Sequence, residues 1–144
     1  MSSTTLRVGV LSDTHDYLDP QVLRLFAGVD HVLHAGDIGM PALILQLEQI
    51  APVTAVQGNA DSYGLFKETE VVTLGGHKFL LHHILDARAP AEAFKLRLIR
   101  EAPDVVVFGH THRRFSEQIG KTFYLNPGYA GPKSSRINTD DKYP

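Results

Sequence analysis

The first half of the chain alternates short apolar runs with segments of helical periodicity. Strands are predicted at 6–11, 31–34 and 53–56, and helices from Pro20 onward and at 41–50. The first helix has a defined start, because Asp19 is a good N-cap and Pro20 suits the first helical position. The order β-α-β-α-β is typical of a sheet that is flanked by helices.

Apolar residues recur in both helical segments at the spacing of one buried face. We expect the first helix to bury Val22, Leu23, Leu25 and Phe26, and the second to bury Leu43, Ile44 and Leu47.

The second half of the chain changes character, because two apolar runs are separated by Gly75 and Gly76, a pair that tolerates the positive φ of a hairpin turn. The flanking strands, at 71–74 and 78–81, should therefore be antiparallel. The remaining predictions are a helix at 91–101, a strand at 105–108 and a strand pair within 115–125 that turns at Gly120-Lys121. The whole pattern predicts an α/β fold of two packed β-sheets flanked by helices.

The length and composition fit one domain, which we place at 1–132, followed by a flexible polar tail at 133–144. Since the chain has no cysteine, any metal must be held by nitrogen and oxygen ligands. No apolar run approaches the ~18 residues of a membrane span, and the start lacks a signal-peptide pattern, so a cytoplasmic protein without membrane contact is expected. A formal net charge of −2 gives no reason to expect specific nucleic-acid binding.

Five of the predicted strands end in polar residues of the same few types. These tips are Ser12-Asp13-Thr14-His15, Gly36-Asp37, Gly58-Asn59, His82-His83 and Gly109-His110-Thr111-His112. Sites in α/β sheets gather beyond the carboxyl ends of strands, so residues that are scattered along the sequence can converge there. Carboxylate, imidazole and amide oxygen atoms are ligands that divalent metals accept, so the tips together predict a metal site.

A single histidine is more often a surface or hydrogen-bonded core residue than a ligand. We keep that interpretation for His31 and His77. His34 is expected either to orient a ligand or to serve in packing, and three roles stay open for His83: support of the site, contact with substrate, or none.

In their order, the tips resemble the calcineurin-like metallophosphoesterases, in particular the small bacterial and archaeal phosphodiesterases of the YfcE type. The resemblance covers Val8 to Pro132 and rests on the motifs DxH, GD, GN, H and GHxH, all present here in that order. It implies a four-layer α-β-β-α sandwich and hydrolysis of a small phosphodiester by attack of a metal-bridged hydroxide. The segment 126–128, Asn-Pro-Gly, also matches a loop that the family places next to its site.

The resemblance further implies two divalent metal ions and a role for each motif residue. One metal would be held by Asp13, His15 and His112, the other by Asn59, His82 and His110, and Asp37 would bridge the two. The implied catalytic residues are Asp37, Asn59 and His110. Mn²⁺ is the first choice of metal, with Ni²⁺, Fe²⁺, Co²⁺ and Zn²⁺ as alternatives, because nitrogen-oxygen sites do not select sharply among these ions.

The chain departs from the family pattern in three places. Most superfamily members read GNH[DE], where the His is thought to protonate the leaving group. Residues 58–61 read GNAD in this chain, and small YfcE-type relatives also lack that His. His83-Ile84 stands where relatives read Gly-His. The strands that relatives carry after Pro132 are missing, which would leave an uncovered sheet edge and favour a homo-oligomer.

Two classes of function stay open on the sequence alone. One is a metal-dependent phosphodiesterase. The other is a non-catalytic protein-binding scaffold of the same fold, as in the retromer subunit. Competent ligand types at all seven implied positions favour the enzyme.

Overall fold

The computed structural model describes residues 5–62 and 64–132, so the predicted tail at 133–144 lies outside the described residues. The strands are β1 (Val8–Leu11), β2 (His31–His34), β3 (Val53–Ala55), β4 (Thr69–Leu74), β5 (His77–His82), β6 (Val105–Val107), β7 (Phe115–Ile119) and β8 (Thr122–Asn126). The helices are α1 (Pro20–Leu25), α2 (Ala42–Glu48) and α3 (Glu92–Glu101). Each predicted element is present; β2 has the predicted bounds, and the other elements begin or end within two residues of the predicted positions.

The strands form two separate sheets. The first has the order β1-β2-β3 and is parallel throughout. The second has the order β4-β5-β6-β8-β7, in which β5, β6 and β8 are parallel and the edge strands β4 and β7 are antiparallel to their neighbours. Both predicted hairpins, at Gly75-Gly76 and at Gly120-Lys121, are therefore confirmed.

Three apolar clusters separate four layers of structure. The middle cluster joins the sheets, since it packs Leu33 of β2 against Leu81 of β5 and Val107 of β6. The two outer clusters cover the remaining sheet faces, one with α2 and part of α1, the other with α3. The α-β-β-α sandwich is thus the observed architecture, and burial of these apolar groups is its main stabilising term.

Helix α1 buries less than its sequence predicts. Val22 and Phe26 pack against the first outer cluster, but Leu23 and Leu25 are 41% and 71% exposed. The reason is geometric, because in so short a helix only residues about four apart share the face that meets the sheet. The predicted burial of Leu43, Ile44 and Leu47 in α2 is confirmed.

Among the residues that the structure describes, every helix falls short of what a membrane-spanning helix requires in length and apolarity.

Candidate metal centre

The parallel strands of both sheets end side by side. In the first sheet, Leu11 is level with His34, and His34 with Ala55. In the second, Leu81 is level with Val107, and Val107 with Leu125. The polar tips lie in the loops that follow these strand ends. The loops of one sheet face the loops of the other across the gap between the sheets.

Several of the loop residues adopt a backbone conformation that L-amino acids rarely take. Positive φ is found at Asp13 (57°), His15 (45°), Asp37 (57°), His110 (73°) and His112 (64°). Such conformations cost about 1–3 kcal/mol each and persist where the surrounding structure enforces them. Five candidate site residues with this conformation indicate loops that are shaped to present side chains rather than to minimise strain.

One group of ligand atoms brings together Asp13, His15 and His112. Asp13 is fully buried, and its Oδ1 lies 3.9 Å from His15 Nε2 and 3.4 Å from His112 Nε2. Asp13 Oδ2 accepts hydrogen bonds from Ser12 Oγ (2.6 Å) and from the backbone N–H of His110 (3.1 Å). These bonds fix the carboxylate with Oδ1 turned toward the two imidazoles.

A second group adjoins the first and consists of Asp37, His83 and His110. Asp37 Oδ2 lies 3.2 Å from His83 Nε2 and also 3.7 Å from His15 Nε2 of the first group. Its other oxygen, Oδ1, accepts the backbone N–H of Ala60 at 2.8 Å. Asp37 therefore presents one oxygen between the two groups, which is the position that a bridging carboxylate requires.

Asn59 joins this second group through His110, since Asn59 Oδ1 lies 3.1 Å from His110 Nδ1. Of the seven residues that the resemblance implied, the structure thus brings together Asp13, His15, Asp37, Asn59, His110 and His112. It does not bring His82 into either group, and His83 stands in its place.

The difference between His82 and His83 follows from strand alternation. Along β5, Leu81 faces the other sheet and Leu80 faces α3, so His82 falls on the α3 side and His83 on the inner side. His82 packs against Phe94 of α3, with ring centroids 4.8 Å apart, and its Nδ1 lies 2.8 Å from Thr69 Oγ1. Burial lowers the pKa of His82, and the nearby Glu68 carboxylate partly opposes that shift.

The hydrogen bonding of His83 leaves one ring nitrogen free for a cation. His83 is 2% exposed, and its Nδ1 lies 2.7 Å from Ala35 O, which can only accept, so Nδ1 carries the proton. In the neutral ring, Nε2 then directs a lone pair at the carboxylate of Asp37, 3.2 Å away. Metal-binding histidines usually donate their other N–H in this way, because the bond fixes both tautomer and ring orientation.

Several buried atoms at this centre have no hydrogen-bond partner within the described residues: Asp13 Oδ1, His15 Nε2 and His83 Nε2. Buried polar atoms normally have a hydrogen-bond partner, so three neighbouring buried atoms without one need an explanation. All three are lone-pair donors of the kind that divalent metals accept. The residues present therefore fit a metal centre.

His34 supports the two acidic loops and does not itself join a ligand group. It is fully buried, its Nδ1 accepts the Gly36 N–H (3.1 Å), and its Nε2 therefore donates to Thr14 Oγ1 (3.0 Å). Thr14 Oγ1 in turn donates to Ile38 O at 2.9 Å. Burial lowers the pKa of His34 to about 3, so the ring is neutral and the network connects the loop of Asp13 to the loop of Asp37.

Two further side chains connect the loops, and neither was among the implied ligands. Asp61 accepts the backbone N–H of Gly39 (2.9 Å) with one oxygen and that of Gly58 (2.8 Å) with the other. Asn126, 1% exposed, donates to Gly109 O (3.1 Å) and to Thr111 Oγ1 (3.2 Å), which places the segment 126–128 beside the centre.

Tyr129 is a neighbour of the first ligand group that the sequence did not reveal. Its ring centroid lies 4.7 Å from that of His112 and 6.1 Å from that of His15, and its hydroxyl donates to Pro132 O at 2.7 Å. No motif includes Tyr129. His31 and His77, at the opposite ends of β2 and β5, are away from the centre, as predicted.

Comparison with known proteins identifies the family. The calcineurin-like phosphoesterase superfamily domain matches residues 6–140. A probable metallophosphoesterase of Methanothermobacter thermautotrophicus is 33% identical over 133 residues, covering 84% of this chain and 75% of the relative. A phosphodiesterase of Methanocaldococcus jannaschii is 28% identical over 142 residues, covering 85% of this chain and 83% of the relative.

The fold is also found among solved structures. Vps29 from Entamoeba histolytica, crystallised in complex with Zn²⁺, superposes with a TM-score of 0.72 at 28% identity, covering 92% of this chain and 80% of that one. The resemblance read from the motifs is thereby confirmed at the level of the family. The chain belongs to the calcineurin-like phosphoesterase superfamily.

Proposed function

We propose that the protein is a phosphodiesterase that works with two divalent metal ions held between the ends of its two sheets. The observation that carries the proposal is the pair of adjoining ligand groups, with Asp37 Oδ2 turned toward both. The phosphodiesterase that resembles this chain supports the choice of substrate class.

In this proposal Asp13, His15 and His112 hold one ion, and Asn59, His83 and His110 hold the other. Asp37 contributes to both. His83 takes the role that the sequence motif gave to His82, because it is His83 whose lone pair faces Asp37. Mn²⁺ remains the first choice among the divalent ions that such ligands accept.

Bound divalent ions would supply Lewis-acid activation of both the phosphoryl group and the attacking water. The residues of the chain prepare that chemistry. The Ala60 and His110 N–H groups each hold one oxygen of a buried carboxylate, which leaves the second oxygen of Asp37 and of Asp13 directed into the centre. Exposed Asn59 and His110 form the rim where a substrate enters.

A protein-binding scaffold of the same fold is the second candidate, because Vps29 shares the architecture. The unpaired ligand atoms support metal binding, which Vps29 in complex with Zn²⁺ shares, so it is the phosphodiesterase relative that favours the enzyme. Turnover of substrate separates the two candidates, whereas metal binding alone does not.

Hydrolysis of bis(4-nitrophenyl) phosphate by the purified chain with added Mn²⁺ tests the proposal. We expect activity that a chelator abolishes and that Asp37→Asn reduces by about 10²-fold or more, since the change removes a charged ligand from both ions. Glu48→Gln, an exposed change on α2, is the matched control and should keep activity. Absence of metal-dependent turnover in a folded, metal-loaded protein would support the scaffold instead.

A further inference from the structure

A cleft of about 500 Å³ opens directly beside the metal centre. Its lining includes Asn59 and His83 of the centre, together with Asp61, Glu68, His82 and Ile84. That volume is within the range of small-molecule sites, which is about 300–1,000 Å³. Because the cleft shares two residues with the centre, one molecule can place a phosphoryl group at the centre and a substituent of that group in the cleft.

Among the described residues, the carboxylates of Asp61 and Glu68 line this cleft, and no Lys or Arg side chain does. The two oxygens of Asp61 accept the Gly39 and Gly58 N–H groups, which fixes the position of this carboxylate in the wall of the cleft. Glu68 is exposed, and its nearest titratable neighbour in the lining is His82, whose pKa the Glu68 carboxylate raises against the effect of burial. Arg97 of α3 lies near His82 but does not line the cleft.

The apolar part of the lining comes from Ile84, which is 50% exposed beside these carboxylates. An apolar contact next to negative charge suits a cation with hydrocarbon substituents better than a strongly hydrated anion. At the other end of the cleft, the metal centre attracts the phosphoryl anion. The site therefore has one region that attracts a negatively charged group and, next to it, another that attracts a positively charged group.

We propose that the cleft binds one ester arm of the phosphodiester and selects arms that carry a positive charge over neutral arms, and neutral arms over anionic ones. This inference rests on the proposed function and extends it to the class of substrate. Phosphodiesters of amino alcohols fit the cleft, whereas diesters whose second arm bears further phosphates or carboxylates are disfavoured.

Three 4-nitrophenyl phosphodiesters with the same leaving group and different second arms test this selection. The arms are choline, its neutral isostere 3,3-dimethylbutanol, and a 3-carboxypropyl group. We expect kcat/KM to fall in that order by roughly two- to tenfold per step at low ionic strength, and the steps to shrink as salt screens the charges. Glu68→Gln should lower the choline-to-neutral ratio at least twofold, and the control Glu48→Gln should leave it unchanged.

Equal efficiencies for the three arms, a reversed order, or a ratio that Glu68→Gln does not alter would overturn the inference while leaving the proposed function standing. If the wild type, loaded with Mn²⁺, hydrolysed none of the three diesters, the proposed function and the inference would fail together.

Discussion

At the scale of single residues, the composition of the second ligand group depends on which histidine of the pair 82–83 faces the gap between the sheets. His83 Nε2 lies 3.2 Å from Asp37 Oδ2, whereas His82 is turned to Phe94 and Thr69. The same substitution can be made at each of these two adjacent positions, so each variant serves as the control for the other.

We predict that His83→Ala lowers the bound metal from two ions per chain to one and reduces diester hydrolysis by about 10²-fold or more. His82→Ala should keep both ions, although it removes a packed ring and costs some stability. Metal analysis of each purified variant, with circular dichroism to verify folding, gives the comparison. The reverse outcome, metal lost in His82→Ala and retained in His83→Ala, would restore the assignment made from the sequence motif.

His34 gives a second residue-scale prediction, which concerns stability and pH. Its pKa in the folded protein is lowered to about 3, while in the unfolded chain it is near 6.5. The folded state therefore excludes a proton that the unfolded state binds, so the stabilisation is complete above pH 6.5 and is lost as the pH falls toward 3. At pH 5 the loss from this group is about 2 kcal/mol.

Urea unfolding between pH 7.5 and 5, in the presence of chelator, measures that loss. His34→Gln lacks the titrating ring and should show a shallower decline of unfolding free energy than the wild type. Parallel curves for the two proteins would show that His34 contributes nothing to the pH dependence.

Ala60 occupies the position where most superfamily members carry a proton-donating His, and its backbone N–H is already engaged with Asp37. We predict that the wild-type rate falls steeply as the leaving-group alcohol becomes more basic. Ala60→His should flatten the dependence, since general acid catalysis contributes about 10²–10⁴-fold where the leaving group needs a proton. A rate that does not vary across substituted aryl diesters, with chemistry rate-limiting, would indicate another proton donor.

At the scale of elements, the loops after the strands are held in shape by close packing against the ligands. Gly36 has φ +107°, and a Cβ placed on it would lie 2.6 Å from His83 Nδ1. Gly76 of the β4-β5 hairpin also has positive φ, +83°, but open space around it. Substitution of Gly76 therefore measures the cost of the backbone conformation alone, whereas substitution of Gly36 adds the cost of displacing the ring of His83.

We predict that Gly36→Ala destabilises the fold by about 2–4 kcal/mol and weakens metal binding, because the ring of His83 must move. Gly76→Ala should cost only about 1 kcal/mol, from its conformation, and keep full metal content. Chemical denaturation and metal analysis of both variants provide the readouts. Equal losses of metal in the two would mean that contact between Gly36 and His83 has no bearing on the site.

The elements themselves could be predicted from the sequence because alternation and turn residues act locally. Gly75-Gly76 specified its hairpin, and the spacing of Leu43, Ile44 and Leu47 specified the buried face of α2. The inner face of β5 could not be predicted, because both faces of that strand are covered by apolar layers and local pattern does not show which layer is the other sheet. The choice between His82 and His83 depends on that face.

At the scale of the whole molecule, the four-layer packing places the carboxyl ends of two sets of parallel strands together. Neither sheet alone has a complete centre, since Asp13, Asp37 and Asn59 follow strands of the first sheet and His83 and His110 follow strands of the second. The order of the motifs predicted that these loops meet. The place of Asn126 beside the site followed from the resemblance, but the contributions of Asp61 and Tyr129 could not be predicted, because they depend on distances between loops that only the packed sheets define.

Counting metal ions during reconstitution tests the central claim most directly. Metal-free protein is titrated with Mn²⁺, and bound metal and hydrolysis of bis(4-nitrophenyl) phosphate are measured on the same samples. Two ions per chain are predicted, with activity appearing as they bind and the midpoint of thermal unfolding rising with metal concentration. Full activity in protein verified to be free of metal, or no bound metal at saturating Mn²⁺, would contradict the account.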